Sequence, residues 1–200
     1  MHQKRDETRA KLLEATYRLI SEKGYMGATT REIAAMAGVS ELTLFRKFGR
    51  KELLFEEMLK TYTFLPRIRH LIGDVIEMPL AEGLKTIGVK LLETLRERRP
   101  LLQILFSEMT HYPEKVRSIY QQMIVDIGEV LKSYLDERKD RGEVLPIDMD
   151  FAARCFLRAL VMTFMYESII MKREISDEKI GHTVTSLVEI FLHGIARKGK

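Results

Sequence analysis

The sequence predicts an all-α protein, and three observations carry this prediction. Apolar residues recur at three- and four-residue steps through most of the 200 residues, which is the period of a helix with one buried face. No convincing run alternates apolar and polar residues between turn signals, as a half-buried strand would. The five prolines mark most of the breaks between periodic segments, because proline is tolerated in the first turn of a helix but not in its middle.

The composition excludes several classes of protein. With 46% hydrophobic and 31% charged residues, the chain suits one or two folded units. Its single cysteine, Cys155, excludes a disulfide framework and favours a reducing compartment, and we expect it to be buried. The polar N-terminus lacks the apolar core of a secretory signal. The most apolar stretch, 152–171, contains three charged residues and would span a membrane poorly. We therefore expect a cytoplasmic protein with no membrane contact.

The first predicted helix covers residues 7–23, and a short second helix follows it. Apolar side chains at helical spacing give the first helix one buried face, and Gly24 ends it. Thr29 is followed three residues later by Glu32, which is the spacing of a capping box, in which each side chain accepts from the other residue's amide. The second helix therefore begins here, and it lasts only to Ala37.

A tight turn and a third helix complete this N-terminal group. Gly38 permits the positive φ of a tight turn, and Ser40 caps a helix over residues 41–48 that ends at Gly49. The small Ala34 lies where the second helix must approach the third. This order of helices, turn and caps predicts a helix-turn-helix, although three packed helices of any small bundle would show the same spacing.

Longer helices with heavier apolar faces are predicted for the rest of the chain. Asp148 and Ser176 are the expected N-caps of the last two. The predicted helices lie near residues 51–64, 66–76, 79–98, 101–110, 113–140, 148–173 and 176–197.

Positive charge is concentrated around the third helix. The net charge of the chain is +4, and residues 43–51 contain four cations and no acidic residue. A helix in the major groove presents its first turns to base edges, while flanking cations and amides hold the phosphates. The candidate reading surface is Glu41, Leu42, Thr43, Arg46 and Lys47. Leu42 can make an apolar contact with a thymine methyl, Glu41 can accept from a cytosine amino group, and Arg31 can donate to a guanine edge. Lys51 and the first-turn amides of the fourth helix suit a phosphate, although each cation is also compatible with an ordinary solvated charge.

Several short segments of the first quarter of the chain form a recognisable set. They are Gly24-Tyr25, Thr29-Thr30-Arg31-Glu32-Ile33-Ala34, Ala37-Gly38-Val39-Ser40, Thr43-Leu44-Phe45-Arg46-Lys47-Phe48 and Lys51-Glu52-Leu53. With them, residues 7–54 resemble the N-terminal domain of TetR-family transcriptional regulators. The resemblance implies a DNA-binding domain over 1–52 and a helical effector-binding and dimerisation domain over 53–200, with repression as the family's usual activity.

The resemblance also assigns roles to individual residues. It implies that Thr30 and Arg31 face DNA, that Thr43 and Lys47 lie on the recognition helix, and that Lys51 clamps a phosphate. Three residues depart from the family pattern: Phe45 replaces a common tyrosine, Leu42 a usually small residue, and Arg50 a small polar cap. The predicted DNA-binding residues are Thr29, Thr30, Arg31, Ser40, Glu41, Leu42, Thr43, Phe45, Arg46, Lys47 and Lys51.

The last two helices predict a homodimer. The helix over 148–173 is apolar on nearly every side, and the last helix carries an apolar stripe that two copies can bury as a four-helix bundle. Packing within the monomer is the alternative. The predicted interface residues are Phe164, Ile180, Val184, Leu187, Val188, Phe191 and Ile195. A dimer would set two recognition helices about 34 to 36 Å apart, on a near-palindromic double-stranded operator.

A small-molecule site is predicted among methionine and aromatic residues, which line adaptable apolar pockets but are also typical of plain core. The candidates are Phe106, Met109, His111, Tyr112, Tyr120, Met123, Phe156, Met162, Met165, Tyr166 and Glu167. The Glu167 carboxylate needs a partner in so apolar a helix: Arg158, a ligand cation or water. We expect a largely apolar effector.

An enzyme and a protein-interaction module are the competing classes. The five histidines show no metal-ligand spacing beyond Glu108 and His111, and no glycine-rich phosphate loop occurs, so we expect neither catalysis nor a cofactor or metal. A helical interaction module without sequence-specific DNA binding would use the basic segment against an acidic partner.

Overall fold

The structure is a computed structural model that describes the backbone of residues 2–195 and the side chains of residues 7–193. Helices account for all the regular secondary structure of this part of the chain. They are α1 (His2–Gly27), α2 (Thr30–Met36), α3 (Glu41–Phe48), α4 (Lys51–Tyr62), α5 (Phe64–Val75), α6 (Leu80–Glu97), α7 (Arg99–Glu108), α8 (Glu114–Asp140), α9 (Met149–Phe164) and α10 (Asp177–Ile195). A 3₁₀ turn at Met109–His111 follows α7, and a π-helical turn at Met165–Ile170 follows α9. The predicted all-α class is confirmed.

The helix signals of the N-terminal group work as predicted. Gly24 has a φ of +72° and breaks α1, although helical backbone resumes as far as Gly27. The amide of Glu32 donates to the Thr29 hydroxyl oxygen at 3.2 Å, and the Thr29 amide donates to the Glu32 carboxylate at 3.1 Å, so the capping box is present. Gly38 adopts a φ of +69°, which gives the turn between α2 and α3.

The predicted α-helix over 148–173 is wrong in its last third. The α-helical backbone ends at Phe164 and widens into the π turn, where the Met171 amide bonds to the carbonyl of Tyr166, five residues back. The Arg173 amide then bonds to the carbonyl of Glu167. Cys155 is only partly buried, contrary to the prediction, because it shares a face of α9 with the exposed Phe151.

Packing divides the chain into two compact units. The first contains the residues up to Thr63 together with Arg98–Met123, and the second contains Phe64–Glu97 together with the chain from Ile124. This division differs from the predicted boundary between residues 52 and 53, because α7 packs extensively against α1. The first unit therefore holds the helix-turn-helix, α4 and the α7 segment.

A buried arginine organises part of the second unit. The Arg138 guanidinium on α8 donates to the backbone carbonyls of Val75 at 3.0 Å and Met78 at 2.6 Å, and it pairs with the Glu143 carboxylate at 3.0 Å. These carbonyls belong to the turn between α5 and α6, so Arg138 fixes that turn against the end of α8. Among the described helices, none combines the length and apolar character needed to cross a bilayer.

Candidate nucleic-acid interface

The third helix has a buried face and an outward face. Leu44 and Phe48 are buried in the first unit, whereas the Leu42 side chain is 69% exposed and that of Phe45 is 41% exposed. Ser40 caps the helix: its hydroxyl oxygen accepts from the Thr43 amide at 3.2 Å and lies 2.9 Å from the Thr43 hydroxyl. The cap fixes the first turn of α3 and leaves its outward side chains available for contact.

A hydrogen bond joins the second and third helices at this surface. The Thr30 hydroxyl on α2 donates to Oε1 of Glu41 on α3 at 2.5 Å. Behind it, the Val39 amide donates to the Ala34 carbonyl at 3.0 Å and closes the turn. The two helices are therefore fixed relative to each other both in the backbone and between side chains.

Lys51 at the start of α4 uses part of its hydrogen-bonding capacity within the first unit. Its ammonium donates to the Tyr25 carbonyl and lies 4.2 Å from the centroid of the Tyr25 ring. Burial lowers the pKa of Lys51, although nearby acidic groups oppose this effect. An ammonium has three donors, so two remain for an acceptor such as a phosphate. The side chain of Arg50, the N-cap residue of α4, makes no capping hydrogen bond to the first-turn amides.

An ion pair supports the capping box from α1. Lys23 lies 2.7 Å from the Glu32 carboxylate. Its hydrogen bond, together with those from the backbone and hydroxyl of Thr29, lowers the pKa of Glu32 to about 2. The start of α2, which holds Thr30 and Arg31, is thereby tied to the end of α1.

The predicted DNA-binding residues all lie in the first unit, on α2, α3, their caps and the start of α4. Two groups differ in exposure. Thr29, Arg31, Ser40, Leu42, Phe45 and Arg46 are exposed, whereas Thr30, Glu41, Thr43, Lys47 and Lys51 are half-buried. Sequence reasoning missed Tyr25 and Glu108 as contributors to this region; Glu108 stood out in the sequence only for its spacing from His111.

The predicted effector residues divide between the two units. Phe106, Met109, His111, Tyr112, Tyr120 and Met123 belong to the first, and Phe156, Met162, Met165, Tyr166 and Glu167 to the second. Met162 and Tyr166 are exposed on the outer face of α9 and the π turn, so they do not line the interior of the second unit. The Glu167 carboxylate is paired with Arg173 at 3.1 Å, rather than with Arg158.

Two buried tyrosines lie among the effector candidates of the first unit. Burial raises the pKa of Tyr120 to about 12, and burial together with the nearby Glu108 carboxylate raises the pKa of Tyr112 well above its usual value. The Tyr112 hydroxyl is buried and lies close to the Glu108 carboxylate. Both side chains are therefore neutral at physiological pH.

Most of the predicted dimer residues are covered within one chain. Phe164, Ile180, Val184 and Val188 are buried in the second unit, where Val184 packs closely on Gly88 of α6. Leu187 and Phe191 are half-buried, and the Phe191 ring lies 5.2 Å from that of Phe156. The Ile195 side chain lies outside the described residues. The buried members offer no surface to a partner, because α10 packs on α6 and α9.

A different set of apolar side chains is exposed on the second unit, on the same two helices for which the sequence predicts dimerisation. Phe151, Met162, Tyr166 and Ile170 lie at helical spacing along α9 and the π turn, with the exposed Arg158 between the first two, and each of the four is at least half exposed. Ile190 on α10 is 72% exposed. The four residues of α9 and the π turn are called the apolar stripe.

A helix-turn-helix with an outward recognition helix defines a class of DNA-binding protein, and comparisons with known proteins identify the family. Residues 12–58 match the model of bacterial regulatory proteins of the tetR family, and residues 82–194 match the C-terminal domain of AefR-like transcriptional repressors. The chain therefore belongs to the TetR family of transcriptional regulators, which are not enzymes.

Individual relatives agree with this assignment. The chain is 33% identical over 132 residues to the HTH-type transcriptional regulator YvkB of Bacillus subtilis, a match that covers 61% of this chain and 68% of YvkB. A TetR-family regulator from Mesorhizobium loti superposes with a TM-score of 0.80 at 23% identity, over 95% of this chain and 97% of that one. The regulator FadR of Bacillus subtilis, solved with stearoyl-CoA, superposes with a TM-score of 0.75 at 20% identity, over 92% and 98%.

Proposed function

We propose that this protein is a ligand-responsive repressor that binds a near-palindromic operator as a homodimer and is released by a largely apolar small molecule. The single observation that carries the proposal is the outward face of α3, where apolar and acidic side chains stand beside cations on a helix whose other face is buried. Family membership supports DNA binding, and this face supports sequence-specific reading in the major groove.

The side chains expected to read base edges differ in chemistry from the groups expected to hold phosphates. Leu42 and Phe45 suit thymine methyls, Glu41 suits a cytosine amino group, and Arg31 suits a guanine edge. Arg46, the uncapped amides of α4 and the remaining donors of Lys51 suit phosphates. The fixed Thr30–Glu41 contact keeps α2 and α3 in one arrangement, which supports simultaneous reading from both helices.

The apolar stripe supports dimerisation. A run of large exposed apolar side chains along one helix face is unfavourable in water and is typical of an interface between proteins. An isologous contact places the same stripe of two copies together, and its two-fold axis sets the two recognition helices on one face of a duplex. A near-palindromic operator follows from that symmetry.

An apolar effector is the regulatory part of the proposal. Buried tyrosine and methionine side chains offer apolar surroundings for a ligand within the first unit, and Phe156 and Met165 do so separately within the second. The structure of FadR with stearoyl-CoA supports a long acyl chain as a first effector to try. We expect stearoyl-CoA to release the operator and coenzyme A, which lacks the acyl chain, to leave it bound. If neither compound releases the operator, long-chain acyl compounds are excluded as effectors.

Selection of bound duplexes from a random pool tests the proposed function. We expect an inverted repeat for the parent, and loss of preference at symmetric positions for Arg31→Ala and Thr43→Ala. Arg69→Ala removes an exposed cation on α5 and serves as the control, with the parent's preference retained. Equal enrichment of all sequences contradicts the proposal and favours a basic surface that binds an acidic partner.

A further inference from the structure

The break in α1 is built around Glu108 of α7. At Gly24 the backbone has a φ of +72°, and a Cβ placed there would overlap both carboxylate oxygens of Glu108. Glycine is thus required twice, for its conformation and for the space that the carboxylate occupies. The carboxylate accepts a hydrogen bond from the Tyr25 amide at 3.1 Å, across 83 residues of sequence.

The other backbone group of Tyr25 holds Lys51. The Tyr25 carbonyl accepts from the Lys51 ammonium, which also lies over the Tyr25 ring. One residue therefore has its amide bound to α7 and its carbonyl bound to the start of α4. All of these residues belong to the first unit, so the chain of contacts lies within one compact body.

The Tyr25 side chain makes this junction rigid. Its ring is buried against the rings of Phe55 on α4 and Tyr112 after α7, with centroids 5.1 and 6.1 Å away in edge-to-face arrangements. Phe55 and Tyr112 also contact each other, with centroids 6.5 Å apart. Three aromatic rings thus join α1, α4 and the segment that follows α7, and a packed aromatic cluster transmits displacement instead of absorbing it.

We propose that Glu108 is a positioning residue for operator binding: it holds the Gly24–Tyr25 break, and the break holds Lys51 where its free donors meet a DNA phosphate. The inference rests on the proposed function and names the means of its regulation. Phe106, Met109 and His111 lie on α7 and the 3₁₀ turn beside Glu108. A ligand that shifts this segment moves the Glu108 carboxylate, and Lys51 loses its position.

The test compares the salt dependence of operator binding among variants of the full-length protein. The slope of log affinity against log salt counts the phosphates that the protein neutralises. Lys51→Ala should reduce the magnitude of this slope by about one for each half-site. Glu108→Ala should reduce it equally and weaken binding about tenfold, since the Tyr25 amide loses its acceptor and the break no longer holds Lys51 at the phosphate. In the double variant Lys51→Ala, Glu108→Ala we expect no further reduction of the slope.

Two further variants separate positioning from charge and from folding. Glu108→Gln keeps an acceptor for the Tyr25 amide, so its slope should stay near that of the parent even though a negative charge is lost. Glu114→Ala removes an exposed carboxylate six residues further along the chain and should leave the slope unchanged. The melting temperature of each variant shows whether it folds, and the slope of Glu108→Gln remains informative if Glu108→Ala does not fold.

The outcomes distinguish this inference from the proposed function. A parent that binds all duplexes equally overturns the proposed function and this inference with it. A parent that binds selectively overturns the inference alone if Glu108→Ala keeps the parent's slope, if Glu108→Gln loses it, or if the effects of Glu108→Ala and Lys51→Ala on the slope add. A lower melting temperature with an unchanged slope identifies Glu108 as a purely structural residue.

Discussion

Thr30 on α2 and Glu41 on α3 are joined by a hydrogen bond of 2.5 Å between the threonine hydroxyl and Oε1 of the carboxylate. The bond commits one carboxylate oxygen and leaves Oε2 for another donor. Because Glu41 is the first residue of α3, this oxygen stands at the end of the helix that enters the major groove in our proposal. The carboxylate is thereby held in one position before DNA arrives.

Glu41→Gln should change the base preference of the operator. A carboxylate accepts from the amino group of cytosine, whereas a glutamine amide pairs with the edge of adenine. We expect a shift from cytosine to adenine at two symmetric positions, with a discrimination of about 1–3 kcal/mol. Selection from a random duplex pool measures it, and an identical consensus for parent and variant rules out Glu41 as a base-reading residue.

Leu42 should contact a thymine methyl group of the operator. Replacing thymine by deoxyuridine at each operator position removes only the methyl group, and one symmetric replacement should weaken binding by about 0.8 kcal/mol for each methyl. In the Leu42→Ala variant the same replacement should have almost no effect. Met36→Ala, which truncates an exposed side chain at the end of α2, is the control and should retain the sensitivity. Equal sensitivity in the parent and Leu42→Ala would assign the methyl contact to another residue.

A charge in the apolar stripe should separate the dimer. Met162→Glu places a carboxylate one turn before Tyr166 on this surface, where a second copy would have to bury the new charge. We expect a monomer by light scattering and a large loss of operator affinity. Ile147→Glu adds the same charge at an exposed apolar position in the turn before α9 and should leave the mass unchanged. A dimeric Met162→Glu protein places the interface elsewhere.

Arg138 and Arg141 offer a matched pair for stability. Arg138 is buried and holds two backbone carbonyls, whereas the Arg141 side chain is about one-third exposed, pairs with Glu77 and Glu137, and donates to one carbonyl, that of Ile76. Arg138→Ala should lower the free energy of unfolding by about 3 kcal/mol, and Arg141→Ala by less than about 1 kcal/mol. Urea denaturation measures both values, and a loss below about 1 kcal/mol for Arg138→Ala would show that the turn between α5 and α6 does not depend on Arg138.

The stability that Glu32 provides should depend on pH. Its pKa is lowered from 4.5 to about 2 by Lys23 and Thr29, so the folded protein favours the charged form. The contribution is therefore present above about pH 4.5 and is lost as the pH falls towards 2. The difference in melting temperature between the parent and Glu32→Gln should shrink over this range. A difference that stays constant with pH assigns no role to the Glu32 charge.

Local sequence signals predicted the helices well, because caps and breaks depend on neighbouring residues. The capping box at Thr29 and the turn at Gly38 are examples, and both need only a few adjacent positions. The π turn after Phe164 has no comparable local signal, because the apolar pattern is continuous there and predicts an unbroken α-helix. The N-terminal DNA-binding candidates likewise followed from a short segment of sequence.

Contacts between distant segments were not predictable in this way. Periodicity shows that α10 has an apolar face but does not show what covers it, and α6 and α9 bury Val184 and Val188 of the predicted interface within the chain. The Glu108–Tyr25 contact joins residues 83 positions apart, and no spacing rule relates them. The predicted effector residues remain predictions for the same reason.

The most direct test of sequence-selective binding as a dimer uses the selected inverted repeat and a copy with five base pairs inserted between its half-sites. About half a helical turn then separates the half-sites in rotation, so one dimer cannot reach both. We predict that two chains bind the original repeat tightly in the presence of excess competitor DNA of unrelated sequence. The affinity for the duplex with the insertion should be at least a hundredfold lower. Equal affinity for the two duplexes would contradict the account.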